Sequence, residues 1–108
     1  NKEMQEKDEI KQIEKKLKII KNNLSGPSLE DLLNKLGNNK NDIDLIVDVS
    51  DKYFSMQDYE NCFEILLNNY PINKDRVKEK MVELFAVLGN SNEHTVNYRK
   101  KLSQIMFA

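Results

Sequence analysis

Residues 42–70 read DIDLIVDVSDKYFSMQDYENCFEILLNNY, and the periodicity of this stretch decides the fold. Ile43, Ile46, Val47, Val49, Ser50, Tyr53 and Phe54 recur at i, i+3, i+4 and i+7, which makes one broad helical face. Ile46-Val47 with Val49 alone has the look of a strand, but the pattern over the whole segment is that of a helix. Asp42 stands where an N-cap belongs, since its carboxylate can accept from backbone N–H groups that the first helical turn leaves unpaired. Asp58 is placed the same way ahead of Tyr59, Cys62, Phe63, Leu66, Leu67 and Tyr70, with Pro71 expected to end that second helix. The stretch is therefore a pair of helices joined by a short turn.

The pattern extends in both directions. Toward the N-terminus, Ile10, Ile13, Leu17, Ile20 and Leu24 are spaced 3, 4, 3 and 4, an apolar stripe on a helix over about 4–24. Ser28 caps a second segment whose apolar face is Leu29, Leu32, Leu33 and Leu36, with Gly37 expected as its stop. Toward the C-terminus, Asn73 or Asp75 opens a fifth segment carrying Val77, Met81, Leu84, Phe85 and Leu88, and Gly89 closes it. A sixth begins near Asn92 and carries Val96, Leu102, Ile105 and Met106. The expected fold is all-α, with six helices in three antiparallel hairpins over about 4–36, 42–70 and 74–106, stacked as one short right-handed solenoid spanning 1–108. The pairs begin at steps of 37 and 32 residues, and no hairpin of this kind buries its apolar face alone.

A period in the mid-thirties is that of tetratricopeptide repeats. Ile46, Val49, Ser50, Tyr53, Tyr59, Cys62 and Leu66 stand in the order of that repeat's signature, with small Ser50 and Cys62 where helix backbones approach closely. The repeat is degenerate: the glycine expected in its turn is Gln57, the late small residue is Asn69, and the expected proline is Lys74. The C-terminal part also resembles the end of the thioredoxin-like co-chaperones, the chaperedoxins. Leu66-Leu67, Asp75-Arg76, MVELFAVLG at 81–89 and YRKKLSQIMF at 98–107 carry that likeness, which covers about 42–108. It implies a repeat domain that binds client proteins or chaperone partners, with a thioredoxin-like domain ahead of it in the full protein. No redox property of such a domain transfers to these residues.

Composition narrows the chemistry. The chain has 108 residues and a net charge of −1, from 17 Lys plus Arg against 18 Asp plus Glu. No basic excess is available to neutralise phosphates, which argues against nucleic acid as a partner. One cysteine, Cys62, and one histidine, His94, exclude a disulfide framework, a CxxC pair and a two-histidine metal site. No phosphate loop or paired nucleophile and base is visible, so the expectation is a non-enzymatic module with no cofactor and no metal. No apolar run approaches the ~20 residues of a membrane span, and no signal-peptide core is visible, so a cytoplasmic location is expected. Asn is abundant at 14 residues, which fits an AT-rich gene as readily as a function.

The net charge hides a gradient: +2 over residues 1–24, −6 over 25–70 and +3 over 71–108. The acidic middle concentrates on one helix, where Asp44, Asp48 and Asp51 share a face by their 4 and 3 spacing. Together with Val47 and Phe54 they form the candidate partner-binding strip, an acidic and apolar face suited to a basic or amphipathic segment. Two other readings compete: a solvated helix face, and a surface for the lysines Lys11, Lys15 and Lys18 of the first segment. Cys62 is read as a packed residue at a helix crossing, His94 as exposed in the first turn of the last helix, and Arg99 as a partner for Glu79 or Glu83. The 4–24 stripe is also a heptad pattern two heptads long. Docking of that helix on the domain and dimerisation through it, giving a monomer or a weak homodimer, both remain open.

Overall fold

The computed structural model describes residues 14–15 and 26–108. The first expected helix, 4–24, lies outside the described residues except for Glu14 and Lys15, which are helical and exposed. Five further helices follow: α1 (Leu29–Asn38), α2 (Ile43–Ser55), α3 (Tyr59–Asn68), α4 (Lys74–Leu88) and α5 (Glu93–Met106). There is no strand among the described residues, so the strand-like run at Ile46-Val47 is helical.

Each helix starts where the sequence supplies a side-chain acceptor. Ser28, Asp42, Asp58, Asn73 and Asn92 accept from the backbone N–H groups of Asp31, Leu45, Asn61, Arg76 and His94 respectively. Each such cap stabilises its helix by about 1 kcal/mol. The stops agree less well with expectation. Gly37 lies inside α1, which runs on to Asn38 before Asn39 caps it. Helix α3 ends at Asn68, and the Asn69 amide Nδ2 donates to Ile65 O at 2.7 Å, so Pro71 sits in a turn already formed. Among the described residues two have positive φ: Gly89 at 95° past the end of α4, and Gln57 at 62° between α2 and α3. The second is the position where the repeat pattern wants glycine.

Among the described helices, α2 and α3 form the most extensively packed pair, and α1 packs against α2. The α4–α5 hairpin stacks on this pair through α2–α4, α3–α4 and α3–α5 packing. One core joins the two hairpins. Ile46, Phe54, Cys62, Phe63, Leu66, Val77, Met81, Leu84, Phe85, Tyr98 and Leu102 belong to it, and Phe63 is its pivot. The Phe63 ring lies 5.2 Å from Phe85 of α4 and 4.9 Å from Tyr98 of α5. Ring pairs at such distances contribute about 0.5–1.5 kcal/mol each beyond the burial of apolar area.

The last helix departs from its expected face. Val96 and Ile105 are nine residues apart, about half a turn out of phase at ~3.6 residues per turn, so no single stripe holds both. Thr95, Tyr98 and Leu102 face the core instead, with Met106 packed beside them, and Val96 is 58% exposed. Arg99 also departs from expectation. Its Nη2 donates to Asn90 Oδ1 at 3.1 Å and the guanidinium lies 5.5 Å over the Phe85 ring. Glu83, one of its expected partners, is engaged by Lys80 at 3.6 Å.

The two positive-φ sites make a paired prediction. Gln57→Gly should raise the unfolding free energy by about 0.5–1 kcal/mol by relieving a left-handed side-chain conformation. Gly89→Ala should lower it by about 1 kcal/mol or more, because a Cβ is disfavoured at that backbone conformation. Chemical denaturation of the two variants checks both signs.

Candidate functional site: the charged face of α2 against α4

The five residues of the candidate strip separate into two groups. Val47 and Phe54 are buried, at 5% and 0% exposure, and Phe54 packs its ring 5.1 Å from Tyr59. They anchor α2 rather than present an open apolar surface. Asp44 and Asp48 are exposed, and Asp51 lies half-buried between them and the α2–α4 junction. Helix periodicity finds the shared face of the three aspartates. It does not show that the positions between them turn inward.

Among the described residues the acids meet bases of α4; Lys11 and Lys18 of the N-terminal segment lie outside the described residues. Asp44 Oδ1 lies 3.8 Å from Arg76 Nη2. Asp51 pairs with Lys80 Nζ, which also reaches Glu83 Oε2 at 3.6 Å. Arg76 and Lys80 are four residues apart on one face of α4 and take up Asp44 and Asp51, seven residues apart on one face of α2. Lys80 is the residue that the sequence pattern does not single out. It is buried, with only 7% of its side chain exposed. Its i, i+4 relation to Arg76 is visible in the sequence, but nothing local separates a buried lysine from the exposed Lys74 and Lys78 beside it.

Electrostatics within the strip are uneven. Burial pushes the Asp51 carboxyl above its ordinary value, opposed by its hydrogen bond to Lys80 and by that ammonium's charge. Asp48 is also raised, first by partial burial and then by the charges of Asp44 and Asp42. Asp48 makes no ion pair with any described residue. Among the described residues it is the carboxylate on this face without a cation in contact, with the Lys80 and Arg76 charges only partly opposing the rise.

Elsewhere, Cys62 is fully buried and its thiol is driven far above its ordinary range by burial, so it packs as a small apolar group. His94 is half-buried, with its ring edge-on to Tyr59 at 5.5 Å. Among the described residues no three His, Cys, Asp or Glu side chains gather as a metal site, and no helix is long and apolar enough to cross a membrane.

A family model described as tetratricopeptide repeat matches residues 22–107. The chain belongs to the tetratricopeptide repeat family. No curated protein and no solved structure matches it. Tetratricopeptide repeats mediate protein–protein interaction and are themselves non-catalytic. The Asp44–Arg76 and Asp51–Lys80 pairs join α2 to α4. The spine from Phe63 to Phe85 and Tyr98 joins α3 to α4 and α5 within the core.

Two outcomes test this description. Asp51→Asn leaves Lys80 buried beside Glu83 alone and should cost about 2–3 kcal/mol, whereas the double change Asp51→Leu with Lys80→Met should cost less than the single one. A double-mutant cycle by denaturation measures the coupling. Asp48→Asn should stabilise the fold at neutral pH. Because the Asp48 carboxyl is raised in the folded state, ionising it costs stability. That cost is absent below the unfolded value near 3.8 and is fully present above the folded one. The stabilisation by Asp48→Asn should therefore shrink to nothing as pH falls through that window, read from denaturation midpoints at a series of pH values.

Proposed function

We propose that this repeat domain binds a protein partner along the exposed acidic edge of α2, gripping a basic or amphipathic segment. Asp44 and Asp48 supply the charge, Asp51 the inner end of the strip, and Val47 with Phe54 hold the helix rigid behind it. The observation that carries the reading is Asp48. An exposed-edge carboxylate whose pKa is raised by partial burial first and then by the charges of Asp44 and Asp42 costs the folded chain stability. A cationic partner segment would offset that cost on binding, and charge complementarity of this sort governs association rate and partner choice.

The likeness of residues 42–108 to the end of the thioredoxin-like co-chaperones supports a finer reading: a repeat domain of that family, recognising clients or chaperone partners. Its motif stretches fall on regular elements, with MVELFAVLG spanning the second half of α4 and its glycine stop, and YRKKLSQIMF the second half of α5.

Fluorescence titration with a labelled amphipathic peptide carrying a lysine face provides the test. Saturable, salt-sensitive binding is expected, weakened roughly 5–10-fold by Asp44→Asn with Asp48→Asn, about 1 kcal/mol of exposed charge pairing. Equal affinity for wild type and the double variant would remove the acidic edge from the interface. Failure to suppress aggregation of a thermally unfolding model enzyme would remove the chaperone reading while leaving peptide binding intact.

A further inference from the structure

A second surface lies on the other layer of helices, away from the acidic edge of α2. Between α3 and α5 is an open cleft of about 430 Å³, lined by Glu60, Glu93, His94, Asn97, Tyr98 and Lys101. Its walls come from different helices, with Glu60 on α3 and the other five on α5.

The internal chemistry of this cleft shows what it accepts. The Lys101 ammonium lies 4.8 Å over the Tyr98 ring and 3.4 Å from Glu64 Oε1. The same carboxylate oxygen accepts a hydrogen bond from the Tyr98 hydroxyl at 3.1 Å. One cation of the chain thus already rests on an aromatic face and a carboxylate at one end. The other end keeps two more carboxylates. Glu60 makes no ion pair with a described residue, and Glu93 has only the His94 ring nitrogen, at 3.7 Å. The cleft with Glu64 therefore holds three acids against one lysine, a net negative site while His94 is neutral. His94 and Tyr98 stand one helical turn apart with nearly parallel rings, 13° between planes and 6.5 Å between centroids. The Tyr98 ring is covered, whereas about a third of the His94 side chain is open to solvent. A planar cation laid on the His94 ring would share the cleft with the Glu60 and Glu93 carboxylates.

We propose that this cleft binds an arginine side chain of a protein partner. The guanidinium is flat enough to stack on the imidazole and presents a fork of N–H donors to both carboxylates, where an ammonium is a compact point charge that does neither. The niche suited to an ammonium is filled by Lys101. This inference rests on the reading of the chain as a protein-binding module only for the source of the arginine, and it uses none of the α2 residues.

The test is NMR titration of the intact, isotope-labelled chain with three short acetylated and amidated peptides, Gly-Arg-Gly, Gly-Lys-Gly and Gly-citrulline-Gly. The arginine peptide should give saturable shifts at His94 and Asn97. The lysine peptide should bind several-fold more weakly and the citrulline peptide not at all. Glu60→Gln with Glu93→Gln, both at exposed positions, should weaken the arginine peptide about five-fold, and His94→Ala should abolish the preference for arginine over lysine. Equal shifts from lysine or citrulline, shifts confined to the Asp44 and Asp48 face, or no saturable shift would overturn the proposal. Shifts confined to the α2 face would at the same time leave the acidic-edge reading standing, so the two fail separately.

Discussion

Phe63 is fully buried where α3 meets both following helices, and the rest of the structure depends on that junction. A helical hairpin has an apolar side and nothing of its own to cover it. Here the uncovered side of α2–α3 receives α4 through Phe85 and α5 through Tyr98. The Tyr98 hydroxyl then reaches back to Glu64 of α3, so the same residue closes the core and satisfies its polar end. Its hydroxyl pKa is pushed up to about 12, by burial first and then by the hydrogen bond to Glu64. It stays a neutral donor throughout the physiological range. Small Cys62 beside Phe63 lets the helices come together at the same level.

Charge settles on top of this packing and does not replace it. The α2–α4 junction carries a buried lysine between Asp51 and Glu83, plus the looser Asp44–Arg76 pair. A buried ion pair repays little beyond its desolvation, but it penalises misregistered stacking, because a shifted α4 would bury Lys80 without a partner. The strip of aspartates is thus divided: its inner member fixes the α2–α4 geometry, and its outer members remain at the surface with more negative charge than α4 neutralises. On the other layer, Glu60 and Glu93 are left in the same condition. A chain of net charge −1 carries both of these acidic surfaces because the compensating lysines lie elsewhere along it.

Much of this architecture is legible in the amino-acid sequence. Helix starts are readable because Ser, Asp and Asn caps act locally, and the core of α2 to α4 because 3.6-residue periodicity is strong there. The stops are less readable. Gly37 and Pro71 look decisive, yet Asn39 and Asn69 end their helices through side-chain amides bonded to carbonyls one turn back. The buried face of α5 escapes hydropathy because its inward residues include Thr95 and Tyr98, which hydropathy undervalues, while Val96 is apolar and exposed. The site is half legible. Spacing puts three aspartates on one face, but the burial of Val47, Phe54 and Lys80 depends on elements dozens of residues away. His94 has the look of an isolated turn residue because Tyr59, its partner, is 35 positions earlier.

If the spine through Phe63 is what makes one unit of two hairpins, local opening of the C-terminal hairpin must cost as much as global unfolding. Native-state hydrogen exchange across a denaturant series measures this amide by amide. The expected result is that slow amides of α3, α4 and α5 converge on one opening free energy with one denaturant dependence. Exchange of α4 and α5 through a distinct, lower-energy opening while α2 and α3 stay protected would contradict it, and would make the C-terminal hairpin a separately opening element.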